Sequence, residues 1–217
     1  MDNNDGSNQP TLTIKNTQIY NSANVGLLAR TGFIEGENLV INNSGQASLN
    51  LSLGGRYNFT NSTFANYFNN GFRQFPAVLV ENLLETQENI FVADLIEANF
   101  YNCIIYGNEN LELLFSKSEE AAFNYKFENC LIKFNDFNNL YADIPEYNFE
   151  NSALFENIVL NEDPIFKATE LNQLQIGEES AANGLANPTT ATAQDILGTS
   201  RGSSPDAGAY ESVIFEE

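Results

Sequence analysis

The sequence predicts an all-β chain wound as a single parallel β-helix, a solenoid of stacked three-strand coils. Three observations predict it. The apolar residues, 42% of the chain, are rich in strand formers: 17 Phe and 9 Tyr stand beside a single Met and no Trp. A short motif built round asparagine returns along most of the chain. Its apolar positions fit the two-residue period of a strand and no 3.6-residue helical stripe.

The motif reads apolar, any, Asn, small, any, apolar. It occurs as Ile14-Lys15-Asn16-Thr17-Gln18-Ile19 and as Phe59-Thr60-Asn61-Ser62-Thr63-Phe64. It returns as Phe100-Tyr101-Asn102-Cys103-Ile104-Ile105, as Phe127-Glu128-Asn129-Cys130-Leu131-Ile132 and as Phe149-Glu150-Asn151-Ser152-Ala153-Leu154. A weaker copy, Ile34-Glu35-Gly36-Glu37-Asn38-Leu39, has Gly36 at the asparagine position. Successive copies start 20, 25, 41, 27 and 22 residues apart. That spacing predicts about six coils of 20–27 residues, one of them carrying an insertion. Residues 77–80 read as the last strand of their coil, which places the insertion near residues 84–90. A hidden copy at Val80-Glu81-Asn82 is the alternative.

Alternating side chains along each strand put Leu12 with Ile14, and Leu49, Leu51 and Leu53, on one face. Asparagine then turns the chain, because it tolerates left-handed backbone and bonds local peptide groups. Stacked corners place Asn16, Asn61, Asn102, Asn129 and Asn151 in one structural ladder, each amide bonding its neighbour's backbone. Gly36 meets the same backbone need without a side chain. The small residue after each asparagine suits a crowded corner. The next apolar residue (Ile19, Leu39, Phe64, Ile105, Ile132, Leu154) returns to the core. Cys103 and Cys130 fall in equivalent places on successive coils, roughly 4.8 Å apart at Cα. Parallel side chains make two stacked thiols the main reading, with a disulfide as the alternative.

The formal net charge is −20, with nine Lys plus Arg. Such a surface disfavours nucleic acid and anionic lipid. It favours solubility, and calcium is the one cofactor it leaves open, since carboxylates and carbonyls suit a hard cation. The chain has no His, which removes the usual general base and any Ser-His-Asp arrangement. No apolar run is long enough to span a membrane. Residues 1–10 read as a flexible polar leader; Asp2, Asn4 and Gly6 match only the start of a calcium loop.

Tyr57, Tyr67, Phe68 and Phe72, with Phe64 and Phe75, form an aromatic stretch around Asn69-Asn70-Gly71. Exposed, it would be a platform for stacking sugars; buried, it is core and loop packing. An enzyme on these coils would need a base or a pair of carboxylates. Arg30, Arg56, Arg73, Lys126 and Lys133 are the basic candidates on the coils. Glu81, Asp94, Glu97 and Glu128 are acidic ones, without the motif that a carboxylate pair would need.

The tail permits a comparison. Residues 157–166 read Asn-Ile-Val-Leu-Asn-Glu-Asp-Pro-Ile-Phe, followed by Leu174-Gln175-Ile176-Gly177, Asp195-Ile196-Leu197-Gly198 and Pro205-Asp206-Ala207-Gly208-Ala209-Tyr210-Glu211. This order resembles the C-terminal end of right-handed parallel β-helix proteins of the pectate-lyase-like superfamily. It is most similar to the bacterial surface proteins of the choice-of-anchor Q type. Ile176-Gly177-Glu178-Glu179-Ser180-Ala181 departs from that family's usual Pro-Gly-Ser-Pro-Ala. The resemblance implies a right-handed helix over residues 11–162 and a capping segment over residues 163–217. Asp195, Arg201 and Asp206 would fix that cap over the last coil. It also implies a location outside the cell or on the outer-membrane surface, and a structural, adhesive or glycan-interacting role without catalysis; because that superfamily's fold also serves enzymes, the C-terminal part of a polysaccharide lyase or glycoside hydrolase is the alternative. The partner expected is a polysaccharide or surface molecule. The motif starts at Leu12 with no capping helix before it, so a truncated natural solenoid is expected. A monomer is expected too, with dimerisation through an uncapped first coil as the alternative.

Overall fold

The computed structural model describes residues 9–215; all but the last two residues of the leader over 1–10, and the calcium-loop-like start within it, lie outside the described residues. Over those residues the chain is all-β. Its main feature is a ten-stranded, curled parallel sheet with two arms. Leu12–Tyr20 and Phe33–Asn42 are long strands that run through both arms, bending at Asn16 and Asn38. Gly55–Thr60, Leu95–Tyr101, Lys126–Glu128 and Phe155–Glu156 continue the first arm. Thr63–Asn66, Ile104–Gly107, Leu131–Ile132 and Val159–Leu160 continue the second. A separate four-stranded sheet forms a third column from Leu27–Arg30, Leu49–Ser52, Val78–Glu81 and Leu113–Ser116, again parallel. The chain visits first arm, second arm and third column in turn, so equivalent residues stack level upon level, as in a solenoid.

The expected insertion is present. An antiparallel hairpin, Leu83–Glu85 with Ile90–Val92, stands between the third-column strand Val78–Glu81 and the next first-arm strand. Asn82 therefore starts no coil. It ends a strand by donating to the Ser118 carbonyl (2.8 Å) and accepting the Ser118 N–H (2.7 Å).

Alternation along the strands builds the core. Phe59, Phe100 and Phe127 are fully buried and Phe155 nearly so, and they stack in register with centroids 5.4, 4.6 and 5.5 Å apart. Gly36 lies in this same inward row, paired with Ile14 and Phe59, and is not a corner. A Cβ there would come within 2.5 Å of the Phe59 ring, so glycine makes room for the first phenylalanine of the stack.

Register moves the asparagine ladder at two levels. The corner residues are Asn16, Asn38, Asn61, Asn102, Asn129 and Asn157, all with φ between 46° and 55°. Asn38 replaces the Gly36 assignment; Leu39 is fully buried as expected but stands at the small-residue position above Ser62, and Ile41 is the residue in register with Phe64. Asn157 replaces Asn151, because Phe127 pairs with Phe155 and not with Phe149. Asn151 instead closes a local turn, accepting the Ala153 N–H. The last copy looked like the others in letters, yet Phe149 packs its ring on Phe155 from a loop.

The tail, expected to fold over the last coil, covers a side of the stack. It runs along the outside of the second arm. That arm is apolar outward as well as inward, and Val40, Ala65, Ile104 and Leu131 are buried beneath Leu174, Ile176, Ala182, Ala207, Ala209 and Tyr210. Runs such as Leu39-Val40-Ile41 and Cys103-Ile104-Ile105 are the signature of a sheet covered on both faces. Asp195, Arg201 and Asp206 do fix the tail. Asp195 accepts the N–H groups of Leu197, Thr199 and Glu211, and Asp206 those of Gly184 and Ser212. Arg201 pairs with Glu211 and donates to the Gly208 carbonyl.

Candidate functional site

The outer face of the first arm is the polar surface left uncovered by the tail. Its outward rows follow from the register. One row holds Lys15, Glu37, Thr60, Tyr101, Glu128 and Glu156; the next holds Thr13, Glu35, Asn58, Asn99 and Lys126. Arg56 and Glu97 pair one step further out. In-register stacking places the polar side chains of neighbouring coils side by side, and they answer one another in charge. Lys15 pairs with Glu37 at 2.8 Å, Arg56 with Glu97 at 3.3 Å, and Lys126 with Glu128 at 3.2 Å and Glu156 at 2.7 Å. Asn58 donates to Glu97 (3.2 Å), and Asn99 donates to Asn58 (2.9 Å).

Electrostatics follow those partners. The Lys126 ammonium is held above its usual range first by its bond to Glu156 and then by Glu128. Tyr101 sits mid-row, and its phenol is raised by burial first, then by the neighbouring Glu128. Each of the three cations on this face is thus bound to at least one carboxylate. Acid–base chemistry would instead want titratable groups pushed apart in pKa beside a space for substrate. Among the described residues no group of three or more acidic or cysteine side chains is placed to hold a metal ion.

The tail forms one wall of this face. Leu185 accepts from Asn129 (2.8 Å), and the Asn187 N–H donates to Asn102 (2.8 Å). The Thr192 N–H donates to Asn61 (2.9 Å), and Gln194 accepts from Asn38 (2.9 Å). Asn187 also reaches over the wall to Glu128 (3.0 Å). The asparagine corners therefore serve mainly as a docking rail for the tail, and only Asn38 to Asn16 (3.0 Å) is a bond between two of them. Bonding to a neighbouring coil's backbone happens at the next corner along. There Asn66 donates to the Ser44 and Gln46 carbonyls, and Asn161 exchanges bonds with the Phe134 backbone. That second column was missed, though asparagine at or near the end of each second-arm strand was its signal.

The aromatic platform is not assembled. Tyr57 is fully buried, donating to the Gly54 carbonyl, and Tyr67 packs edge-on to Phe166 of the tail. Phe68 is half-buried and Phe72 stands alone at 85% exposure. The basic candidates scatter too. Arg56 and Lys126 reach the polar face, whereas Arg73 is buried in a two-pronged pair with Glu112 (2.6 and 2.9 Å). Arg30 belongs to the third column, and Lys133 donates to the Gly107 carbonyl. Of the acids, Glu97 and Glu128 reach the face. Glu81 lies in the third column, where burial raises its carboxyl, and Asp94 accepts the Ala122 N–H.

Cys103 and Cys130 are free and buried on successive levels. Each thiol fills the inner side of its corner, and the Cys130 sulfur accepts the Cys103 N–H at 3.4 Å. Ser62 does the same two levels from Cys130, accepting the Leu39 N–H at 3.1 Å.

The chain was compared with protein-family models, curated proteins and solved structures, and it matches none of them.

Proposed function

We propose that the chain is a right-handed parallel β-helix acting as a rigid, non-catalytic module on a bacterial surface. Its first-arm face would meet an extracellular glycan or another surface molecule. One observation carries this reading. The outer second arm, which is apolar, is sealed by the chain's own tail, while the first-arm face is left open with its cations neutralised by carboxylates. A wide, charge-matched polar face suits contact through many weak hydrogen bonds, as at the wet rim of an interface. The net charge of −20 favours neutral polymers over polyuronates. The tail sequence supports the same reading through its likeness to choice-of-anchor Q proteins. Secretion and surface attachment belong to this proposal.

A glycan array, run beside a reducing-end assay on neutral and acidic polysaccharides, tests it. Binding to neutral glycans without release of reducing ends is the expected result. Turnover of any polymer would overturn the non-catalytic reading, and a blank array would remove the glycan.

A further inference from the structure

The third column is shorter than the two arms. It ends at Leu113–Ser116, whereas each arm continues for two more levels. Residues 135–154 fill the missing side with a loop and the one-turn 3-10 helix Pro145–Tyr147. The filling is aromatic. The Phe115 ring, with no further strand beyond it, meets Tyr147 at 5.1 Å, and Tyr147 meets Tyr141 at 4.7 Å. Rings bridge the gap without closing it, because a loop cannot reproduce the close spacing of a strand pair.

Two hollows remain, and Glu146 lines both. The first, about 260 Å³, has Phe115, Tyr141 and Tyr147 for walls and Lys117 and Glu146 at its rim. The second, about 160 Å³, is lined by Phe123, Tyr125 and Leu154, with Glu146 and Asn151 as its polar groups. Both are smaller than a drug-sized site. Lys117 is clamped between Glu146 (2.7 Å) and Glu119 (2.9 Å), which leaves no free cation for an anionic ligand. The ligand that matches is neutral, has an apolar ring face for the aromatic walls, and carries hydroxyls for the Glu146 and Asn151 side chains. A pyranose sugar has these properties, since its C–H face suits the negative face of an aromatic ring.

We propose that these hollows are paired subsites for consecutive neutral sugar residues, with Tyr141 as the stacking platform and Glu146 as the shared hydrogen-bond acceptor. This deepens the glycan-contacting reading above and rests on it, adding to the first-arm face a second, more local contact at the short side of the stack.

Saturation-transfer NMR on the whole chain tests the assignment, using glucose, galactose, mannose and N-acetylglucosamine, each also as its disaccharide, and galacturonate. Transfer to at least one neutral sugar is expected, with affinity on the order of millimolar. The disaccharide should bind more tightly than its monomer. Galacturonate should show none. Tyr141→Ala should weaken binding roughly tenfold or more. Glu146→Gln keeps the shape and should weaken it several-fold, while Phe72→Ala on its separate loop should leave it unchanged. Circular dichroism of each variant confirms folding. Neutral-sugar binding that survives Tyr141→Ala and Glu146→Gln would overturn this site and leave the surface-module reading standing. Absence of transfer to every neutral sugar would overturn it as well. The array and reducing-end assay judge the broader reading separately.

Discussion

Replacing Asn102 by glycine and by alanine separates the two things this corner does. Its backbone is left-handed, with φ 55°. Its side chain holds the tail, accepting the Asn187 N–H at 2.8 Å and donating to Thr190 at 3.2 Å. Glycine keeps the left-handed turn and deletes both bonds. At about 1 kcal/mol for each net hydrogen bond, Asn102→Gly should cost about 2 kcal/mol. Alanine deletes the same bonds and adds about 1–2 kcal/mol for a left-handed residue with a Cβ, so Asn102→Ala should cost about 3–4 kcal/mol. Asn151→Ala is the control, because that residue lies off the ladder, is exposed and caps one local turn; it should cost less than about 1 kcal/mol. Equilibrium urea unfolding, followed by circular dichroism and by tyrosine fluorescence, measures all three. Equal costs for glycine and alanine would show that corner geometry is not limiting. A cost for Asn151→Ala matching that of Asn102→Ala would refute the register on which the whole stack depends.

Three further outcomes are expected. Glu112→Gln leaves the buried Arg73 guanidinium without its carboxylate and should cost about 3–5 kcal/mol, and the double change to Met should also destabilise, because the Ala77 N–H loses its Glu112 acceptor and the Asn66 carbonyl its Arg73 donor; unfolding midpoints of the two variants decide it. Both cysteines should stay unreactive to a thiol reagent in the native chain and give two thiols in denaturant, and fewer than two would reveal a disulfide. Burial raises the Glu211 carboxyl above its ordinary 4.5, against the lowering effects of the Asp206 N–H and Arg201. The native state therefore binds that proton more tightly than the unfolded chain. Its stabilising contribution is complete below the ordinary value and declines as pH rises through the raised one. Comparing unfolding midpoints at about pH 4 and pH 7, the acid-side advantage should be smaller in Glu211→Gln than in the parent chain.

How much was legible depended on whether a signal was periodic or merely local. The Phe59, Phe100 and Phe127 copies were readable because each precedes a left-handed asparagine by two residues and so repeats the same inward-and-turn geometry. The insertion was readable because it lengthened one repeat and left the strand before it intact. Phe149-Glu150-Asn151 spelled the same motif by coincidence of composition. In a chain so rich in Phe, Glu and Asn, six letters cannot distinguish a corner from a turn, and the true copy at Phe155-Glu156-Asn157 was hidden by Ile158 where a small residue was expected. Gly36 misled for a related reason. Glycine suits a left-handed corner, but here its missing side chain was needed for space beside Phe59. The aromatic platform failed because a list of aromatic residues says nothing about which way each strand faces. Tyr57 falls on an inward position of its strand, and that parity decides its burial.

The tail shows why the outside of a curled parallel sheet needs as much explanation as its core. A coil whose second arm is apolar on both faces cannot stay in water with one face bare, so these strands and the residues 166–210 that cover them belong to one folding unit. Gly208 makes the join close. It has φ 90°, donates its N–H to the Asn102 carbonyl at 2.8 Å, and has no room for a Cβ beside Ile104. An added methyl at Gly208 would have to lift the tail from the asparagine rail or push Ile104 into the core. Gly208→Ala should therefore loosen the tail before the coils. Hydrogen exchange would show this as early exchange at the Asn187 and Thr192 amides, with the Phe100 and Phe127 amides still protected. Simultaneous exchange at all four would mean that tail and coils open together, and the rail would then be a part of the core's own cooperativity rather than a separate clasp upon it.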